Sequence, residues 1–322
     1  MHNAPTTIHR RTHFAPAALF FGLFVGFLPL TVPSWAAEPG KRPAGAIPPA
    51  VAEKFQIERD VVYAEPAGHP QKLDLFVPKS GAGPFPLIVW IHGGGWQNGS
   101  KANPGGALRL SGGDYAVASI DYRLTHVAIF PAQIEDCKAA IRWLRTHAAQ
   151  YRLDPERIGV WGSSAGGHLV ALLGVTGETK EFDVGAHLDV YSRVQAVCDY
   201  YGPADLTRFG GGEYMSRPDS PEAKLLGGQP QENLEKAKRA SPIAYVASTA
   251  APMLIVHGTA DPVVPVAQSQ WFYDALKAAK ADAQLHLIPN AKHGGPEFGT
   301  PEVTGKIRAF FDLHLRPKSA KH

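Results

Sequence analysis

The apolar positions of this sequence form short β-type runs, joined later in the chain by stretches with the spacing of amphipathic helices. Eight runs predict strands: Arg59–Ala64, Lys72–Val77, Leu87–His92, Tyr115–Asp121, Arg157–Trp161, Val194–Tyr200, Pro252–His257 and Gln284–Ile288. Four stretches predict helices: Pro131–Gln150, Ala165–Gly174, Val266–Ala279 and Pro301–Leu315. Two hairpin-like strands followed by alternating strands and helices predict an α/β fold, with a mostly parallel central sheet and helices on both faces.

Two regions depart from this alternation. Residues 37–54 are rich in Pro, Ala and Gly and predict a flexible leader before a domain that spans residues 55–318. Residues 204–246 are polar, rich in Gly and Pro, and too long for a tight connection, so they predict a small insertion or lid. A surface loop with one helix is the alternative for the second region.

The first 36 residues have the order of a secretory signal peptide. Arg10 and Arg11 precede an apolar run over residues 14–32, and small residues then lead to Ala36. This order predicts cleavage after Ala36 and a secreted or periplasmic protein, with no stable membrane insertion afterwards. A single membrane anchor is the alternative, which the prolines in and beside the run disfavour.

Composition and charge narrow the classes of partner. The 322 residues carry a formal charge of +3, and removal of residues 1–36 takes away two basic residues and leaves +1. A nearly neutral surface gives no reason to expect nucleic acid as a partner. The histidines and cysteines form no HExxH or CxxC pattern, so neither a metal nor another cofactor is expected. The oligomeric state stays open.

The two cysteines, Cys137 and Cys198, lie within apolar or helical patterns. Burial as free thiols is the expected outcome for such residues. Export would permit a disulfide between them, and that pairing is the alternative.

The pentapeptide Gly162–Gly166 (GSSAG) lies between a predicted strand and a predicted helix. The G-x-S-x-G spacing in this setting predicts that Ser164 projects as a nucleophile from a sharp turn, where its neighbours must be small. The partial positive charge at the start of the helix then favours developing negative charge. Ser163 is the rival hydroxyl, but it lacks the correct frame.

A second glycine-rich turn, HGGGW at residues 92–96, follows another apolar strand. Glycines allow backbone amides to face a cavity without obstruction by Cβ atoms. Such donors can stabilise an oxyanion, and loss of one costs roughly 3–4 kcal/mol of transition-state stabilisation. A generic turn is the alternative, and a phosphate loop is disfavoured because no GK[ST] follows.

Asp261 and His293 supply the acid and base that a serine nucleophile needs. Each comes just after a predicted strand, and sites in parallel sheets lie beyond the carboxyl ends of strands. The chain order Ser164, Asp261, His293 is that of α/β-hydrolases. His257 is interpreted as a core residue or as a residue that supports the site from behind.

Residues 57–316 resemble the α/β-hydrolase superfamily. Within it the chain is similar to carboxylesterases that carry an HGGG motif, and especially to the acetylxylan/feruloyl esterase-like (BD-FAE-like) group. The motifs behind this resemblance are HGGGW (92–96), SIDYRL (119–124), GSSAGGH (162–168), YYGPADL (200–206), ASPIAYV (240–246), HGTADPVVP (257–265) and KHG (292–294).

The resemblance implies roles for further residues. The amides of Gly94, Gly95 and Ala165 would form an oxyanion hole, and Trp96 and Tyr201 would line the substrate pocket. Asp121 and Arg123 would be scaffold residues that hold the glycine-rich loop.

The function implied is hydrolysis of a small-molecule or carbohydrate ester, with a short, aryl or acetyl/feruloyl-type acyl group, through an acyl-enzyme. A peptidase of the prolyl-oligopeptidase kind uses the same three residues and is one alternative. A non-catalytic binding module on a hydrolase fold is another, because one fold hosts many functions.

Overall fold

A single sheet of eight strands organises the part of the chain that the computed structural model describes, which is residues 48–208 and 217–316. The predicted signal peptide (1–36) and most of the predicted leader lie outside the described residues. The strands are β1 (Phe55–Ala64), β2 (Gln71–Pro78), β3 (Phe85–Ile91), β4 (Ala116–Ile120), β5 (Leu153–Ser163), β6 (Ala196–Tyr200), β7 (Met253–Gly258) and β8 (Ala283–Ile288). All eight predicted strands are confirmed.

The sheet is mostly parallel, as predicted. Its strand order is β1-β2-β4-β3-β5-β6-β7-β8. Only the β1–β2 and β2–β4 pairs are antiparallel, and every other neighbouring pair is parallel. The two central strands β3 and β5 therefore have parallel strands on both sides, whereas β8 is an edge strand that pairs only with β7.

The helices are α1 (Pro49–Lys54), α2 (Ala107–Ser111), α3 (Ala132–Thr146), α4 (Ala165–Val175), α5 (Pro221–Leu226), α6 (Leu234–Arg239), α7 (Ala267–Ala278) and α8 (Pro301–Leu315). Side chains of β3 alternate between two cores, because successive residues of a strand face opposite sides of the sheet. Leu87 and Val89 join a cluster with α3, α4 and α7, while Ile88 and Trp90 join a second cluster with α2 and α8. The prediction of helices on both faces is confirmed.

The predicted flexible leader is wrong at its C-terminal end. Residues 49–54 form helix α1, whose Val51 packs against the second core cluster. The carbonyl oxygen of Lys54 accepts a hydrogen bond from the amide of Lys79, and that of Ala52 accepts one from the Lys79 ammonium. These contacts with the end of β2 make the segment part of the folded domain.

The predicted insertion contains two short helices, α5 and α6, and its residues 209–216 lie outside the described residues. It is packed onto the domain: Leu206, Leu225, Leu226, Ala237 and Ala240 are buried within the first core cluster. The alternative of a surface loop with one helix is therefore wrong. That the segment moves as a lid stays a prediction.

Cys137 and Cys198 are both free and fully buried, as interpreted from their apolar surroundings. Burial raises the pKa of both thiols well above the ordinary value. No helix within residues 48–208 or 217–316 combines the length and the apolar character needed to cross a membrane.

Candidate active site

Ser164 occupies a sharp turn between the end of β5 and the start of α4. Its φ of 55° and ψ of −119° are strained for a residue with a side chain. Its amide donates to the carbonyl oxygen of Tyr200 at 2.8 Å, which ties the turn to the neighbouring strand β6. A methyl group on Gly162 would overlap the carbonyl of Gly166, and one on Gly166 would overlap that of Ile91. Both glycines are therefore required for the serine to project above the sheet.

The structure brings the three predicted residues together. The Nε2 atom of His293 lies 2.9 Å from Ser164 Oγ, and its Nδ1 atom lies 2.7 Å from Asp261 Oδ2. Asp261 follows β7 and His293 follows β8, so the strand ends converge on one edge of the sheet as predicted. The Asp261 side chain is fully buried, whereas that of His293 keeps 19% of its surface exposed. The imidazole therefore connects a buried acid to a hydroxyl that a substrate can reach.

Hydrogen bonds keep the Asp261 carboxylate charged despite its burial. Burial alone would raise its pKa, but hydrogen bonds from His257 and His293 and from the amide of Val263 hold the pKa well below the usual range. The Oδ1 atom accepts from the amides of Val263 and Val264 at 2.8 and 3.0 Å. Oδ2 is left to face the imidazole of His293.

His257 is a core residue with no exposed surface, in agreement with its interpretation from the sequence. A contact that the sequence did not reveal is the one between its Nε2 atom and Asp261 Oδ2, at 3.2 Å. Its Nδ1 atom lies 2.7 Å from Ser269 Oγ on α7. The acid thus has a second imidazole partner, for which the close spacing of His257 and Asp261 in HGTAD was the available signal.

The glycine-rich turn faces the start of α4. Gly94 and Gly95 have φ values of 109° and 59°, which favour glycine. The Gly94 carbonyl accepts from the amides of Gln97 and Asn98, which closes the turn. Within residues 48–208 and 217–316, the amides of Gly94, Gly95 and Ala165 donate to no acceptor. Unengaged donors are what an oxyanion hole requires, and that these three amides form one stays a prediction.

The DYRL segment supports this turn, although not through both residues predicted. The Asp121 carboxylate accepts from the amide of Lys101 at 2.7 Å, and the Tyr122 hydroxyl donates to the His92 carbonyl at 3.0 Å. Arg123 instead pairs with Asp136 on α3, at 2.8 Å. The expectation that Arg123 holds the glycine-rich loop is therefore wrong, because its guanidinium points to the helix.

Trp96 does not line an open pocket, contrary to the prediction. Its side chain is only 2% exposed and packs within the first core cluster. Its indole N–H donates to Nδ1 of His168 at 3.3 Å, and Nε2 of His168 donates to the Ala240 carbonyl at 2.7 Å. Burial lowers the pKa of His168 to about 4, so the ring is neutral and links the turn, α4 and the insertion.

Tyr201 lies beside His293, with ring centroids 4.6 Å apart. The residue is half-buried and has a φ of 43°, in the turn that follows β6. Burial raises the pKa of Tyr201 to about 12, so its hydroxyl stays protonated and able to donate. That Tyr201 contacts substrate stays a prediction.

The insertion reaches the glycine-rich turn, which the sequence did not reveal. A methyl group on Gly95 would lie 3.2 Å from the Pro221 ring, so the start of α5 packs against this turn. Lys224 of the same helix donates to the Gln97 side chain at 2.8 Å. Across the described ranges no group of three His, Cys, Asp or Glu residues is placed to hold a metal ion.

Comparison with known proteins agrees with this geometry. Residues 73–276 match the model of the BD-FAE family. Esterase LipC of Mycobacterium tuberculosis is 33% identical over 75% of this chain, and the match covers 60% of LipC. The chain therefore spans about three fifths of the length of this curated relative.

Two solved structures are similar over nearly their whole length. A truncated carbohydrate esterase from gut microbiota is 34% identical with a TM-score of 0.74, and the match covers 81% of this chain and 96% of that one. A thermophilic esterase from Thermogutta terrifontis, solved with butyrate bound, is 28% identical with a TM-score of 0.67 and coverages of 83% and 97%. The fold is that of α/β-hydrolase esterases, and the chain belongs to the BD-FAE family.

Proposed function

We propose that this protein is a serine carboxylic-ester hydrolase that acts through an acyl-enzyme. The observation that carries the proposal is the continuous hydrogen-bonded series from Ser164 Oγ through both ring nitrogens of His293 to Asp261 Oδ2. Each member has the partner that its role requires: a nucleophile with a base, and a base with an orienting acid.

In the first half of the reaction, His293 Nε2 takes the hydroxyl proton as Ser164 Oγ attacks the ester carbonyl carbon. Asp261 stabilises the imidazolium that forms and holds the tautomer with Nδ1–H. The amides of Gly94, Gly95 and Ala165 donate to the oxygen of the tetrahedral intermediate. His293 then returns the proton to the departing alcohol, which leaves Ser164 acylated.

In the second half, His293 removes a proton from water, which attacks the acyl carbonyl. The tetrahedral intermediate is held by the same amides and collapses when Ser164 Oγ accepts the proton from His293. The carboxylic acid is released and the serine is regenerated. No step in this scheme needs a group beyond the side chains and amides named here.

We propose a small-molecule or carbohydrate ester with a short, aryl or acetyl/feruloyl-type acyl group as substrate, and no nucleic acid partner. Support comes from the gut carbohydrate esterase and the butyrate-bound Thermogutta esterase to which the chain is similar. A panel of acetyl, butyryl, feruloyl and long-chain esters tests this. Faster turnover of long-chain esters than of the acetyl, butyryl and feruloyl esters would contradict it.

Two measurements separate the proposal from its rivals. Hydrolysis of p-nitrophenyl acetate without cleavage of a dipeptide amide is expected for an esterase, and the reverse preference for a peptidase. Labelling by a fluorophosphonate, lost in Ser164→Ala and kept in Ser163→Ala, is expected for an active nucleophile. A binding module would not be labelled.

We also propose that the protein is secreted or periplasmic after cleavage behind Ala36. The basic, apolar and small-residue order of residues 1–36 supports this. Expression of the full chain, followed by N-terminal sequencing of the exported form, should yield a chain that begins at Ala37. Retention of the intact N-terminus in a membrane fraction would favour the anchor.

A further inference from the structure

Asp261 has two imidazole partners, of which the proposed reaction uses one. Its Oδ2 atom lies 2.7 Å from Nδ1 of His293 and 3.2 Å from Nε2 of His257. The side chains of His257 and Asp261 have no exposed surface. Because water cannot reach this oxygen, the protein itself must supply its hydrogen bonds.

The surroundings of His257 determine which ring nitrogen carries the proton. Nε2 lies 2.9 Å from the carbonyl oxygen of Val264, which can only accept, so Nε2 must be the N–H. Nδ1 lies 2.7 Å from Ser269 Oγ, a hydroxyl that can donate to it. The Nε2–H therefore donates to the Val264 carbonyl, and the same nitrogen lies within 3.2 Å of Asp261 Oδ2.

We propose that His257 is a positioning residue, whose Nε2–H fixes the Asp261 carboxylate so that Oδ2 faces Nδ1 of His293. The proposal rests on the ester-hydrolase function above. Among the described residues, the polar contacts of His257 are with Ser269, Val264 and Asp261, so we expect it to act through Asp261.

The other oxygen of the carboxylate shows why this contact matters. Oδ1 accepts from the amides of Val263 and Val264, and these two hydrogen bonds fix that oxygen. The carboxylate could still rotate about Oδ1 unless a contact at Oδ2 restrains it. With His257 in place, both oxygens are held before the imidazole of His293 is protonated. Such preorganisation avoids reorganisation during the reaction. The His257 hydrogen bond also lowers the pKa of Asp261 against the effect of burial.

Two substitutions separate the donor from the volume of the ring. His257→Leu removes the N–H, whereas His257→Gln keeps an amide N–H at about the reach of Nε2. Removal of comparable supporting partners at metal sites costs about 10- to 100-fold in affinity or activity. We expect His257→Leu to lower kcat for p-nitrophenyl acetate by about tenfold or more, with KM within about twofold.

The pH dependence of kcat/KM is a second measurement, and a simple loss of stability would not change it. Without the donor the pKa of Asp261 rises, and a more basic carboxylate also stabilises the His293 imidazolium more strongly. The stronger hold on the imidazolium moves the acidic limb of kcat/KM to higher pH in His257→Leu. His257→Gln should restore the limb and most of kcat. The ring of Tyr201, centred 6.2 Å from that of His257, is unchanged in both variants.

His286→Leu is the matched control, because it removes an imidazole from the neighbouring strand β8 and should leave kcat and the limb unchanged. If His257→Leu fails to fold, Ser269→Ala tests the same contact between His257 and Asp261, because it removes the hydroxyl that holds Nδ1 of the His257 ring. We expect a smaller fall in kcat and a shift of the acidic limb in the same direction.

The proposal would be overturned if His257→Leu folds and keeps both the kcat and the acidic limb of the wild type. Equal loss in His257→Gln and His257→Leu would also overturn it, because the donor would then be irrelevant. A wild-type protein that hydrolyses no ester and takes no fluorophosphonate label would instead refute the proposed function.

Discussion

At the scale of single residues, the site depends on one charged group held in a buried place. The Asp261 carboxylate offsets its loss of hydration with two backbone amides and two imidazoles. These four partners keep the carboxylate ionised beside His293, so that the imidazolium formed in the proposed reaction would meet a fixed negative charge.

Replacement of that charge by an amide is the most direct test at this scale. We expect Asp261→Asn to lower kcat by about ten-thousand-fold, because the amide no longer selects the tautomer with Nδ1–H. Steady-state kinetics with p-nitrophenyl acetate measure this. Asp282→Asn is the control, since its carboxylate is largely exposed and lies away from the triad. A loss of less than about tenfold in Asp261→Asn would assign the acid to another residue.

Glu222 on α5 is another buried carboxyl, but it lacks the set of hydrogen-bond donors that surrounds Asp261. The residue is 5% exposed and Oε2 has no hydrogen-bond partner among the described residues. Burial raises its pKa from 4.5 to about 7. Since the folded state holds this proton more tightly, the contribution of Glu222 to stability falls as pH rises from about 4.5 to about 7.

Glu222→Gln removes this cost. We expect the variant to exceed the wild type in free energy of unfolding by up to about 3 kcal/mol above pH 7, and by almost nothing below pH 4.5. Guanidinium denaturation at pH 4.5 and pH 8 measures the difference, with exposed Glu235→Gln as control. A difference that is equal at both pH values would refute a titration of Glu222 as its cause.

At the scale of elements, the sequence predicts best those strands and helices whose side chains are buried. The runs at β3 and β7 are apolar because both faces of these strands are covered, which makes them readable without tertiary information. Helix α1 was missed because its six residues bury no side chain fully, so no apolar period marks it. Short helices of this kind depend on contacts with distant residues.

The site shows the same division between local and distant information. Ser164 and its glycines were readable because a sharp turn imposes a local spacing on the sequence. The burial of Trp96 and the pairing of Arg123 with Asp136 were not, since each depends on how a separate helix packs against the segment. A motif therefore locates a side chain in the chain but does not tell which way it points.

Replacement of glycine by alanine is expected to change stability in opposite directions in two helices. Gly305 lies in α8, where an added methyl group meets no atom within 4 Å. We expect Gly305→Ala to stabilise the protein by about 0.5–1 kcal/mol, because alanine loses less backbone entropy on helix formation. Gly166→Ala, in contrast, should destabilise it, since the methyl group would overlap the Ile91 carbonyl. Chemical denaturation compares both, and a destabilised Gly305→Ala would show that the space is not available.

At the scale of the whole molecule, the three residues of the triad depend on different parts of the sheet. Ser164 follows β5, which lies between β3 and β6, whereas Asp261 and His293 follow β7 and β8 at one side. The nucleophile is thus supported by the centre of the sheet and the base by its edge strand. Edge elements open with lower free energy than central ones.

This arrangement predicts that activity is lost before the core unfolds. In a denaturant titration we expect the midpoint of esterase activity to lie below that of tryptophan fluorescence, because Trp90 and Trp161 lie on the central strands β3 and β5 and none of the six tryptophans lies on β8. Both are measured on the same samples after equilibration. Coincident midpoints would mean that β8 unfolds together with the centre of the sheet.

The same strand order also sets when the protein becomes reactive during its synthesis. Ser164 is made more than a hundred residues before His293, and a chain that ends after α7 contains the hydroxyl and the acid but no base. A product that ends before His293, and a nascent chain that has not yet reached it, therefore lacks the base of the proposed reaction. The proposed ester cleavage can begin only when the last strand has docked and the loop after it has placed His293 beside Ser164.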